Sequence, residues 1–160
     1  MPDTFEWPRP EEEADEILIR NVREHGCHIM GIAAEGHKPG YAFSIGLFVN
    51  YGQAEVILFG MERDGASAIN LVRDHAASGQ KYIAGDVSRD ILVGRPACFV
   101  DVPLQLYDKY LGTAIWFYRK SPRPFPCLQL VWPDQDGRFP WETGCDAGLK
   151  RYQPLLRSFS

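Results

Sequence analysis

The chain has 160 residues, 45% of them hydrophobic and 24% charged, which suits one domain with a core of its own. Seventeen Lys and Arg against 21 Asp and Glu leave a formal net charge of -4, a field that repels phosphate backbones and anionic membranes and argues against nucleic acid as a partner. No apolar run approaches the roughly 20 residues that cross a bilayer, and MPDTFEWPRPEEE lacks the basic start and apolar centre of a secretory signal, so a cytosolic protein with no membrane partner is expected.

Residues 1–10 hold three prolines and no periodicity and read as a flexible arm, leaving 11–160 as the domain. EEEADEILIRNVREHG spaces Ala14, Ile17, Leu18 and Val22 for one helical face, with acidic residues in the first turn and Gly26 as the stop. CHIMGIAAE and YAFSIGLFV read as strands joined by GHKPG, and AEVILFG, apolar on both faces, reads as a central strand. DGASAINLVRDHAASG predicts a second helix with Asp64 as N-cap, Ile69, Val72 and Ala76 inward, and Gly79 as its end. KYIAG and PACFVDV are expected strands on either side of a polar loop. A third helix should open at Asp101 and Pro103 and carry Leu104, Tyr107, Leu111 and Ile115, and CLQLVW supplies the last strand. This order is neither a βαβ alternation nor all-β. It predicts a single α+β domain, a mixed or mainly antiparallel sheet with about three helices packed mainly on one side.

GYAFSIGLF, AEVILFG, a helix ending in ASGQ, LQLVWPDQDGRFPWE and a late QPLL together resemble the bacterial domain-of-unknown-function family numbered 4262 from about residue 12 to residue 156. The family's usual Tyr-Thr before Ile-Gly-Leu is Phe43 and Ser44 here, and its Pro-Glu is Ala54 and Glu55, so a hydroxyl and a carboxylate are kept. The resemblance implies a bacterial cytosolic protein of the same fold and brings no activity with it.

The chemistry therefore rests on single residues. In WPDQDGRFPWE the Pro-Asp-Gln-Asp-Gly run suits a tight turn, with Trp132 and Trp141 on either side of it as a cover for the sheet that also forms one wall of a pocket. Asp134 and Glu142 are the carboxylates of that block. Glu55 opens an otherwise apolar strand, where a charge is costly unless exposed or paired. With Ser44 and Gly46 of the neighbouring strand it makes a second half of the candidate pocket, where Gly46 marks a bulge or a close backbone approach.

Metal and nucleophile signals are weaker. Cys27, Cys98, Cys127 and Cys145 stand singly and read as free thiols. His25, Cys27, His28 and His37 are the tightest metal-like group, but Cys27 and His28 would alternate faces of a strand, so no metal is assigned. Ser44 does not sit in G-x-S-x-G, and neither phosphate-loop pattern opens a helix. A flavin held by scattered contacts would leave no compact motif, so the cofactor stays unknown. Tyr110, Phe117 and Tyr118 broaden the apolar face of the third helix and suggest a second core contact or a homodimer surface. The expected function is a non-enzymatic binding module for a small ligand or a protein partner, immunity-like pairing included. The alternative is a small enzyme with carboxylate acid/base chemistry in a Trp-lined pocket.

Overall fold

In a computed structural model of the chain, residues 5–61 and 64–157 are described. Helix α1 (Glu13–His25) starts where Asp15 reaches back to the N–H groups of Glu11 and Glu12, at 2.9 and 3.3 Å, satisfying donors that the first turn leaves open. Strands β1 (His28–Ile32) and β2 (Tyr41–Ile45) follow, then a short helix α2 (Leu47–Tyr51), β3 (Glu55–Phe59) and helix α3 (Asp64–Ala77). Strands β4 (Val87–Leu92) and β5 (Arg95–Asp101) form a hairpin. A 3-10 turn at Leu104–Leu106, helices α4 (Tyr107–Tyr110) and α5 (Gly112–Phe117), strand β6 (Cys127–Val131) and a last helical turn α6 (Leu149–Tyr152) complete the described chain.

The six strands form one mixed sheet in the order β1-β2-β3-β6-β5-β4, in which β3 and β6 are parallel and every other pairing is antiparallel. Alternation of side chains along each strand divides the core in two. Phe43, Ile45, Ile57 and Phe59 meet α1, α4 and α5 on one face, while Val56, Leu58, Phe99 and Leu130 meet α3 on the other. The expected α+β domain is therefore what forms, with most helices on one face and α3 covering the opposite one. No described helix is long and apolar enough to cross a membrane.

Four local expectations are corrected. The strand expected through YAFSIGLFV ends at Ile45, because Gly46 takes φ 109° and turns the chain into α2. KYIAG is not a strand: the Tyr82 N–H donates to the Gln53 side-chain carbonyl at 2.8 Å and the Gln53 amide returns a bond to the Tyr82 carbonyl, so side-chain bonds replace a ladder. The polar segment after it is instead β4, an edge strand whose exposed charges suit an unpaired edge.

The single third helix is the last of these corrections. It breaks at Leu111, whose φ and ψ of -117° and 30° leave the helical region, and Leu104 is 58% exposed. The inner stripe is Tyr107, Leu111, Ala114 and Phe117. Its aromatics are covered within the chain: Tyr110 meets Tyr41 and Phe59 edge-on, and Phe117 stacks on Phe5 and meets Trp7 edge-on. Of the residues expected to form an arm, 1–4 lie outside the described residues, while Phe5 and Trp7 belong to this packing.

Candidate functional site

Glu55 is 0% exposed and all of its acceptor capacity is used. Its Oε1 accepts from Ser44 Oγ–H at 2.7 Å and Leu47 N–H at 3.2 Å; its Oε2 accepts from Gly46 N–H at 3.0 Å, Phe48 N–H at 3.2 Å and the Tyr118 hydroxyl. The Gly46 turn brings those three backbone donors together at the start of α2, where a negative group complements the free N–H ends. Both hydroxyls are themselves occupied as acceptors, Ser44 from Val56 N–H at 2.9 Å and Tyr118 from Val49 N–H at 3.3 Å. Burial raises the Glu55 carboxyl above its ordinary range, opposed first by the Tyr118 and Ser44 bonds. The predicted approach of Ser44, Gly46 and Glu55 is thus present, but it is a sealed clamp that ties β2, β3, α2 and the end of α5 together. Tyr118 is the member that sequence reasoning missed.

Burial, and then the neighbouring Glu55 charge, pushes the Cys27 thiol up to about 12 and raises Cys127 well above a free cysteine. Cys27, Cys98 and Cys127 are free and buried, and Cys145 is free and partly exposed. Their raised thiols make poor nucleophiles. Cys27 faces the α3 side and His28 the α1 side, as alternation required. His28 Nδ1 accepts from Asn21 Nδ2–H at 2.9 Å, and among the described residues no three His, Cys, Asp or Glu gather as a metal site.

The tryptophan block divides differently. Asp134 closes the predicted turn: its Oδ1 accepts from Asp136 N–H and Arg138 N–H at 3.0 and 2.9 Å, and its Oδ2 from Asp146 N–H at 2.9 Å. Gly137 supplies the positive φ of 81°. The bonds from Arg138 and Asp146 hold its carboxyl below the ordinary range, so its contribution to the turn exists above that range and is lost as pH falls through the lowered value. Asp134→Ala is expected to speed hydrogen exchange at Asp136, Arg138 and Asp146 and to leave the β6 amides protected; unchanged exchange at those three positions would contradict this role. Trp141 stacks on Phe139 at 5.0 Å, with the Arg157 guanidinium 4.7 Å above its ring, and joins the cluster of Cys98, Val100 and Val131. Trp132 joins the α3 face instead. The two rings therefore form no common wall, and Glu142 is exposed beyond them.

Trp132 borders the main open feature of this end of the sheet. Its Nε1–H donates to the Phe59 carbonyl at 2.8 Å, and its backbone is held on both sides by the Gln153 side chain, at 2.9 and 2.8 Å. A cleft of about 660 Å³ lies beside it, lined by the β1–β2 loop with His37 and Lys38, by Gly60 and Asp64, by Arg95 and by Arg151 and Tyr152 of α6. Gly60 lets these walls approach, since a Cβ there would lie 2.9 Å from the Tyr152 carbonyl oxygen and 3.1 Å from the Trp132 ring. The cleft occupies the C-terminal ends of β3 and β6, the only parallel pair among the described residues. The Glu55 clamp lies at the opposite end of β3, about 13 Å away along the strand. Of the seven predicted pocket residues, only Trp132 lines this cleft; His37, weighed as a metal ligand, is also there.

No curated protein and no solved structure matches the chain. The family model described as Domain of unknown function (DUF4262) matches residues 21–146, a span that includes the Glu55 clamp, the parallel strands and the Trp132–Asp134 turn. By that match, over most of its length, the chain belongs to the DUF4262 family.

Proposed function

We propose that this protein is a non-enzymatic binding module and that its site is the cleft beside Trp132. The observation that carries the reading is the fixed indole lining a concavity of about 660 Å³, within the range of small-molecule pockets. Its position supports the same reading, because open sheets bind ligands beyond the carboxyl ends of parallel strands, where the chain leaves in different directions. The three carboxylates expected for acid/base chemistry do not serve this cleft: Glu55 is sealed, Asp134 closes a turn and Glu142 lies outside the lining, which leaves Asp64, among the described residues, as the carboxylate at the cleft wall. We take the setting to be the bacterial cytosol, on the family resemblance and the free thiols.

Native and denaturing mass spectrometry of protein purified from its own host tests the reading. The expected result is a mass excess lost on denaturation and reduced roughly tenfold in occupancy at limiting ligand by Trp132→Leu, the scale of one lost aromatic contact. A mass excess indifferent to Trp132→Leu, or none at all, overturns the site and directs the search to protein partners.

A further inference from the structure

We propose that the cleft is built for a small organic anion with a flat apolar body, an inference that rests on the binding reading above. His37, Lys38, Arg95 and Arg151 line it, against Asp64 as its one carboxylate among the described residues. In a chain of net charge -4 this is a local reversal of sign. The other large cleft, about 810 Å³ between α1, β1 and α5, is lined by Glu11, Glu12 and Asp15 instead. Acidic and basic side chains are thus sorted between two concavities, which a uniformly mixed surface would not do.

No cation of the Trp132 cleft is ion-paired with a carboxylate among the described residues. The ion pairs among the described residues are Arg73 with Asp74, Arg119 with Glu11, Lys120 with Glu6 and Arg138 with Asp136, and none involves the lining. Arg95 is half-buried, its guanidinium 5.5 Å from the centre of the Trp132 ring and its Nη1 3.4 Å from the Pro133 carbonyl. That support limits the ordering cost of engaging a ligand, and the planar fork suits a carboxylate or phosphate. Lys38 and Arg151 approach from the loop and α6 walls. The Trp132 edge, Met61, Pro39 and Tyr152 leave apolar surface for the ligand's body. A volume of about 660 Å³ lies in the range of small-molecule pockets and suits an occupant of that size.

Four probes sharing one ring decide it: phenyl phosphate, benzoate, benzamide and benzamidine, followed by the Trp132 indole N–H resonance, which Trp132→Phe assigns. Phenyl phosphate and benzoate are expected to give saturable, salt-sensitive shifts, with benzamide at least about tenfold weaker and benzamidine weaker still. Their order tells phosphate from carboxylate. Lys38→Ala and Arg151→Ala, both at exposed positions, should each weaken the anions about tenfold while leaving the thermal midpoint unchanged. Benzamide or benzamidine matching the anions at Trp132 overturns the anion inference and leaves the binding reading standing. Anion shifts indifferent to both variants overturn it as well. If none of the four moves the Trp132 resonance the inference fails, and the host-purified mass excess separately decides whether the cleft binds anything.

Discussion

Glu55→Ala is expected to destabilise the protein by about 5 kcal/mol, and Glu55→Gln by about 3 kcal/mol, because the clamp contains fixed backbone donors that cannot turn away. Alanine leaves the N–H groups of Gly46, Leu47 and Phe48 and two hydroxyls facing a buried void. Glutamine keeps the volume but places an NH₂ group against at least one backbone donor. A protonated Glu55 fits better than glutamine, since its hydroxyl still accepts one bond while donating to Ser44 or Tyr118. This explains how burial can raise the carboxyl without breaking the clamp.

The sign of the pH effect follows. The folded chain holds the Glu55 proton to higher pH than the unfolded chain, so this group's stabilisation falls as pH rises from the ordinary glutamate range through the raised value, and is level above it. The difference between wild type and Glu55→Gln in urea unfolding, followed from about pH 4 to about pH 8, isolates that group and should shrink with rising pH. A difference that grows instead would mean that the five donors outweigh burial. A Glu55→Ala protein within about 1 kcal/mol of wild type would show that the clamp is not a stability element.

The clamp was half legible in the sequence. A glutamate in an apolar run must be compensated, which directs attention to Ser44 and Gly46 on the neighbouring strand. Tyr118 could not be found this way, because it stands 63 residues from Glu55 and its approach depends on how the broken α4–α5 run crosses the sheet. The turn at Asp134 was readable because its bonds are local, the carboxylate serving amides from two to 12 residues away. The separation of Trp132 from Trp141 was not, since an irregular turn resets the face on which a side chain emerges. The cleft was the least legible part. Lys38, Arg95 and Arg151 stand in a loop, a strand start and a terminal helical turn that meet only once β6 inserts between β3 and β5. Spacing along the chain carries no information about that insertion, whereas the strands themselves showed in their apolar runs. β4 was missed because an edge strand needs few apolar residues.

Gly46→Ala tests the same clamp from its backbone side and is expected to cost about 4 kcal/mol. Two separate penalties combine. A φ of 109° lies where a side chain is strained, and the added Cβ would sit 2.6 Å from Val22 Cγ1 and 3.0 Å from Val22 Cγ2, both in the fully buried interior of α1. The α1 backbone cannot simply draw back: the Gly26 carbonyl oxygen is 3.3 Å from the same Cβ, and Asn50 Nδ2–H bonds to the carbonyls of both Val22 and Gly26, at 2.9 and 2.8 Å, holding α1 against α2. Val22→Ala relieves the clash and leaves the torsion. The double variant should therefore be less unstable than the sum of the single ones by about 1 to 2 kcal/mol in denaturant unfolding. Strict additivity would assign the whole cost to the torsion. A Gly46→Ala protein as stable as wild type would require α2 to start elsewhere, and with it the three N–H groups that hold Glu55.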